Sequence, residues 1–74
     1  MKVKVRLFAT LREDRGKEVE VEGKAGMTGK GLIDQMEISE EDVAIFLING
    51  KDGKLEDPIQ DGDVISIFPP VGGG

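Results

Sequence analysis

The chain has 74 residues, 38% hydrophobic and 34% charged, which suits one small core under a solvated surface, because a chain of this length buries only about 60% of the surface it exposes when unfolded. Fifteen acids against ten bases leave a net charge of -5, and the three aromatic residues are all Phe; a surface that releases counterions from a phosphate backbone and stacks on bases is excluded, so no nucleic-acid partner is expected. Cys and His are both absent, and with them go disulfides, thiolate metal centres, thiol nucleophiles and histidine general bases.

No apolar run approaches the roughly 18 to 20 residues that span a bilayer. The opening MKVKVRLF alternates charge with hydrophobe, where a signal peptide is apolar throughout. A cytoplasmic location with no membrane partner is the expectation.

Residues 2–8 place Val3, Val5 and Leu7 on one side and Lys2, Lys4 and Arg6 on the other, the period of a half-buried strand. Residues 9–16 are a polar connection ending in Gly16. Val19 and Val21 then alternate with Glu18, Glu20 and Glu22, which predicts a second strand closing a hairpin. Thr28 is a candidate N-cap for a short helix carrying Leu32, Ile33 and Met36. Gly29 and Gly31 weaken its first turn, since Gly costs about 1 kcal/mol relative to Ala inside a helix.

Residues 37–42 read as an acidic connection, and the unbroken apolar run 43–48 as a strand with both faces at least partly covered. Asn49-Gly50 turns the chain. Lys54-Leu55 is expected to form a short edge strand, and Pro58-Ile59-Gln60 a single helical turn before Asp61-Gly62-Asp63. Residues 64–68 form the last strand, stopped by Pro69-Pro70, neither of which can donate to a ladder.

This order predicts an α+β roll of the β-grasp type, with a mixed four- to five-stranded sheet and one main helix. The helical crossover lets the first and last strands pair in parallel at the centre. Residues 1–68 are the folded domain and residues 69–74 a tail.

Three motifs fail on inspection. Residues 26–31 (GMTGKG) approach a phosphate loop, but that pattern needs Gly at Lys24 and a hydroxyl at Gly31. Residues 57–62 (DPIQDG) approach a calcium loop, but Ile59 takes a ligand position and Phe68 stands where a bidentate Glu is needed. Glu18, Glu20 and Glu22 share a strand face and read as a solvated face, so no metal site is expected.

At the average Gly usage of about 7%, three successive glycines at a chain end arise by chance only about once in three thousand. Gly72-Gly73-Gly74 follows Pro69-Pro70-Val71, and the two prolines favour an extended polyproline path that carries the tail away from the sheet. At about 3.1–3.4 Å per residue, the segment 69–74 reaches roughly 20 Å, enough to enter another protein's active site. Gly73 and Gly74 have no side chains to obstruct a narrow channel. A terminal carboxylate, with a pKa near 3.3–3.7, is ionised at neutral pH and can attack the α-phosphate of ATP supplied by a partner.

Phe68-Pro69-Pro70-Val71 with terminal Gly73-Gly74 resembles the signature of MoaD, the small subunit of molybdopterin synthase. The stretch RLFATLRE at 6–13 is similar to that family's opening strand and loop, and DGDV at 61–64 to a turn and strand shared by MoaD and ThiS. The resemblance to these ubiquitin-like sulfur carriers spans nearly the whole chain. It implies that an E1-like, MoeB-like enzyme uses ATP to adenylate Gly74, and that a sulfur donor converts the adenylate to a thiocarboxylate. The tail then delivers sulfur inside a MoaE-like large synthase subunit, where cyclic pyranopterin monophosphate becomes the dithiolene of molybdopterin for molybdenum or tungsten. The chain itself would bind no cofactor, and its partners would hold the catalysts.

Conjugation through Gly74 to target lysines, or a ThiS-like role in thiazole synthesis, are alternatives within the same resemblance. The chain departs from the family pattern at Gly29 and Gly31 in the helix and at Gly72 before the diglycine.

Period two sends Arg6, Phe8, Val64, Ser66 and Phe68 to the face away from the helix, where Phe46 and Ile48 are expected to join them. Phe8, Phe46 and Phe68, with Pro69, Pro70, Val71 and Gly72, are thus the expected partner-binding residues.

Overall fold

Alternation of charge and hydrophobe draws Lys2–Leu7 into strand β1, whose residues alternate between exposed and buried along its length. The computed structural model describes residues 1–70. After a 3-10 turn at Ala9–Arg12, β2 (Glu18–Glu22) returns antiparallel to β1, with Val3 opposite Val21 and Val5 opposite Val19. Helix α1 (Gly29–Gln35) follows, then a 3-10 turn at Glu40–Asp42. Strands β3 (Ile45–Ile48), β4 (Lys51–Asp52) and β5 (Val64–Phe68) complete the chain.

The five strands lie in the order β2-β1-β5-β3-β4. β1 and β5 are parallel at the centre, while β3 runs antiparallel to both β5 and β4. This is the expected β-grasp arrangement. Val3, Val5 and Leu7 from β1, Ile65 and Ile67 from β5, and Leu32 and Ile33 from α1 are at most 1% exposed and form the centre of the core. Leu11, Val21, Ile38, Phe46 and Ile59 close it around the edges.

Thr28 caps α1 as its residue type predicts: its hydroxyl accepts a hydrogen bond from the Gly31 N–H at 3.4 Å. Asn49 and Gly50 have φ of 53° and 82°, the left-handed pair that a two-residue hairpin turn requires between Ile48 and Lys51. The Asn49 side chain also ties this turn to β5, accepting from the Val64 N–H at 2.9 Å and donating to Asp63 at 3.0 Å.

Three expectations are corrected. The short edge strand is Lys51–Asp52, not Lys54-Leu55, because the two-residue turn pairs β4 immediately. Residues 58–60 are not helical; Pro58 bridges to Thr28, and the Ile59 N–H donates to the Met27 carbonyl at 2.8 Å while the side chain sits 2% exposed in the core. Burial of Ile59 outweighs the local preference for a turn of helix. Val43 and Ala44 precede β3 instead of belonging to it, since the 3-10 turn runs up to Val43, whose N–H donates to the Glu40 carbonyl at 3.0 Å.

Gly29 proves to be a packing requirement. A Cβ there would lie 2.6 Å from Cζ of Phe46 and 3.3 Å from the Leu55 Cα, so the absent side chain is the space the ring fills. A Cβ at Gly31 would meet the Met27 Cγ at 3.0 Å and the Thr28 hydroxyl at 4.0 Å, both side-chain atoms at the start of the helix. Gly29→Ala should therefore lower stability by about 1–3 kcal/mol through overpacking, whereas Gly31→Ala should raise it by up to about 1 kcal/mol through helix propensity. Urea denaturation of the two variants checks this opposition of sign.

Candidate functional site

Parallel pairing brings the C-terminal ends of β1 and β5 to the same edge of the sheet, with Leu7 in register with Ile67. Phe8 and Phe68, each one residue further on, therefore meet side by side on the face away from α1. Their rings stack with centroids 4.0 Å apart and planes 8° from parallel. Both are half-buried, as is Pro69, and Pro70 is exposed. Phe68-Pro69-Pro70 is the mount from which the chain leaves the sheet. Val71, Gly72, Gly73 and Gly74 lie outside the described residues.

Phe46 does not join this pair. It stands opposite Ile67 on the α1 side of the sheet and is 6% exposed, packed into the space left by Gly29. Ile48, opposite Ile65, shares that face. Ile45 and Leu47 take the outer positions instead, opposite Phe68 and Ser66; Ile45 is 48% exposed. The unbroken apolar run 43–48 carries no alternation from which to choose a face. Counting back from the Asn49-Gly50 turn and its Ile48–Lys51 pair sets the choice.

The segment after Phe8 adds a residue absent from the expected site. Ala9 has a φ of 53°, a left-handed conformation uncommon for Ala, and it folds the 3-10 turn back beneath Leu7. Leu11 is thereby buried, and the Arg12 Nε donates to the Leu7 carbonyl at 2.9 Å. The Arg12 guanidinium carbon lies 5.4 Å from the centre of the Phe8 ring, and that of Arg6 lies 6.0 Å from it, both within cation–π range.

Across the rest of the outer face, Lys2, Lys4 and Arg6 of β1 stand opposite Glu22, Glu20 and Glu18 of β2. The Lys4 Nζ lies 3.9 Å from the Glu18 carboxylate. This register sets a basic side chain opposite each of the three glutamates, and no group of three His, Cys, Asp or Glu side chains that could hold a metal ion occurs among the described residues. No helix among the described residues is long and apolar enough to cross a membrane.

A surface hollow of about 430 Å³ beside β4 is lined by Asp52, Lys54 and Asp57. Asp57 accepts from the Lys54 N–H at 2.9 Å, so its carboxylate holds a turn. On α1, the Lys30 ammonium bonds Asp34 at 2.8 Å, and that hydrogen bond holds it above the usual lysine range. It stays protonated and offers no base.

A central parallel pair of strands with one helix across one face defines a ubiquitin-like β-grasp fold. Residues 5–74 match the ThiS family, and the chain belongs to it. A Pyrococcus furiosus chain provisionally named molybdopterin converting factor, subunit 1, is similar over 96% of this chain and 99% of its own, with 29% identity and a TM-score of 0.78. A chain from the complex of subunits 1 and 2 of the molybdopterin-converting factor of Helicobacter pylori is 29% identical over the whole of both chains, with a TM-score of 0.67. Small archaeal modifier protein 1 of Haloferax volcanii shares the fold over the whole of both chains, with a TM-score of 0.81 at 24% identity. No curated protein matches the chain.

The two faces make different energetic demands. Phe46→Ala should cost about 3–5 kcal/mol, as for a core aromatic. Phe8→Ala and Phe68→Ala should each leave a cooperatively folded protein, and a double-mutant cycle should give a coupling of about 0.5–1.5 kcal/mol for the stacked pair. Denaturant midpoints of the four proteins and the double variant supply all the terms.

Proposed function

We propose that the chain carries sulfur for the dithiolene of molybdopterin, with its Gly74 carboxylate as the carrying group. The observation that carries this reading is the family match, which runs through Gly74. The Pyrococcus and Helicobacter chains, both named for molybdopterin conversion, support the molybdopterin branch.

In this reading an E1-like enzyme binds ATP, and the Gly74 carboxylate attacks the α-phosphate, expelling pyrophosphate to form an acyl adenylate. A persulfide on a sulfur donor then attacks the acyl carbon and AMP leaves, giving an acyl disulfide; a partner's thiol attacks the donor's sulfur, forms a disulfide with it and leaves the terminus as a thiocarboxylate. The tail presents that sulfur to a pterin held by a large subunit. This chain contributes reach, an unhindered end and a docking face; catalytic groups and nucleotide come from the partners.

The docking face is the outer surface at the root of the tail, where Phe8 and Phe68 stack beside Ile45, Leu47 and Pro69. Aromatic anchors at the point where the chain leaves the sheet fit a partner that must grip the domain and admit the tail together. Removing either anchor should cost about 2 kcal/mol, roughly 30-fold in affinity, for both the activating enzyme and the large subunit.

Incubation of the purified protein with ATP, the E1-like enzyme and a sulfur donor should increase its intact mass by the exchange of one oxygen atom for sulfur, and deletion of Gly74 should abolish the change. An unchanged mass would sink the carrier reading. Conjugate ladders on immunoblots that vanish on Gly74 deletion would point instead to protein modification, and thiocarboxylate that supports thiazole but not molybdopterin formation would move the chain to the thiamine branch.

A further inference from the structure

All three arginines of the chain fall within residues 6–15, while its other seven bases are lysines. Arg15 donates to the Glu37 carbonyl at 3.4 Å, whereas Arg6 and Arg12 lie beside the Phe8 ring. The carboxylate opposite Arg6 is Glu18, which lies against Lys4. Among the described residues neither Arg6 nor Arg12 has a carboxylate within 4.0 Å. The one hydrogen bond Arg12 makes there uses Nε, leaving both terminal nitrogens of the guanidinium as an end-on fork.

These two cations without a neighbouring carboxylate lie 6.0 Å (Arg6) and 5.4 Å (Arg12) from the centre of the Phe8 ring, in a protein whose net charge is -5. The left-handed Ala9 (φ 53°) sets the turn that returns Arg12 to this position, a local strain of the kind retained where surrounding structure needs the geometry.

We infer that Arg6 and Arg12 read carboxylates on the partner: the surface that receives Phe8 and Phe68 is an apolar slot with Asp or Glu side chains at its rim. This rests on the docking face proposed above and names the chemistry of its partner. Guanidinium suits the task better than ammonium, because it stacks on an aromatic ring while presenting two parallel donors to a carboxylate. A nucleotide phosphate is the poorer occupant, since the adenylated terminus lies up to roughly 20 Å along the tail from Pro69. An acidic carrier is repelled overall by an acidic partner, so attraction confined to this edge also discriminates against acidic proteins lacking the matching rim.

Association and dissociation rates should be measured by surface plasmon resonance against the E1-like enzyme and the large synthase subunit of the same organism, across a salt series. Variants are R6Q, which breaks no hydrogen bond or ion pair among the described residues, R6Q/R12Q, and R6K/R12K, with thermal melts to verify folding. R6Q/R12Q should associate at least tenfold more slowly and lose most of the salt dependence, with R6Q intermediate. R6K/R12K should recover the association rate but dissociate faster. Rates for R6Q and R6Q/R12Q within twofold of wild type, with the same salt dependence, would overturn the inference while leaving the carrier reading intact. Equal loss of binding on adding millimolar ATP or phosphate to wild type and R6Q/R12Q would likewise place the anion site elsewhere. Wild-type protein that binds neither partner is the separate result that removes the docking face itself.

Discussion

Four register pairs hold β1 parallel to β5, from Lys4 beside Val64 to Leu7 beside Ile67, and the positions of Phe8 and Phe68 follow from them. A parallel pair cannot be closed by a tight turn, so the intervening chain must cross the sheet, and α1 lies across one face as part of that crossing. The inward residues of the two strands are essentially inaccessible to water, which makes slippage by one residue prohibitive, since it would turn every buried Val, Leu and Ile outward. The same register sets Phe8 beside Phe68. The stacked pair beside the chain's exit from the sheet is therefore a consequence of core packing, held by residues on the opposite face.

Much of this is legible in the residues because β1, β2 and β5 alternate cleanly, and alternation states both the element and its buried face. Thr28 and Asn49-Gly50 are equally informative, each having a local chemical reason for its position. Legibility fails where tertiary packing overrides local pattern. The run 43–48 is apolar at every position, so its phase comes from the neighbouring turn and strand, and Phe46 belongs to the core. Gly29 looks like a helix defect until the Phe46 ring is seen in the place of its Cβ. The two departures from expectation are thus one contact seen from its two ends. Ile59 and Arg12 were illegible for a related reason: each is placed by a long or tightly turned connection whose path has no periodic signature.

The sheet also controls what it can pair with. Its outer strand on one side, β2, carries three glutamates, and on the other side β4 is only two residues long. Charge and shortness are both means of discouraging edge-to-edge association. Three opposite-charge positions between β1 and β2 occupy the flank of the outer face, although exposed pairs of this kind contribute little to stability individually. They confine exposed apolar surface to the strip formed by Phe8, Phe68, Ile45 and Leu47, beside the exit of the chain.

On the sulfur-carrier reading, the two tasks of the molecule place opposite demands on its residues. A terminus that must pass through a channel and react at its carboxylate gains from having no side chains, and glycine is the same in every protein that uses it. Such an end cannot tell one partner from another. Selectivity must then come from the rigid domain, at a place that the partner contacts whenever it admits the tail. The end of the β1–β5 pair meets that condition, because the tail begins there and its side chains cannot move independently of the core. Changing partners would need only a few substitutions on this strip, while the core and the reacting end stayed as they are. A shared fold with different destinations is the expected outcome of that division.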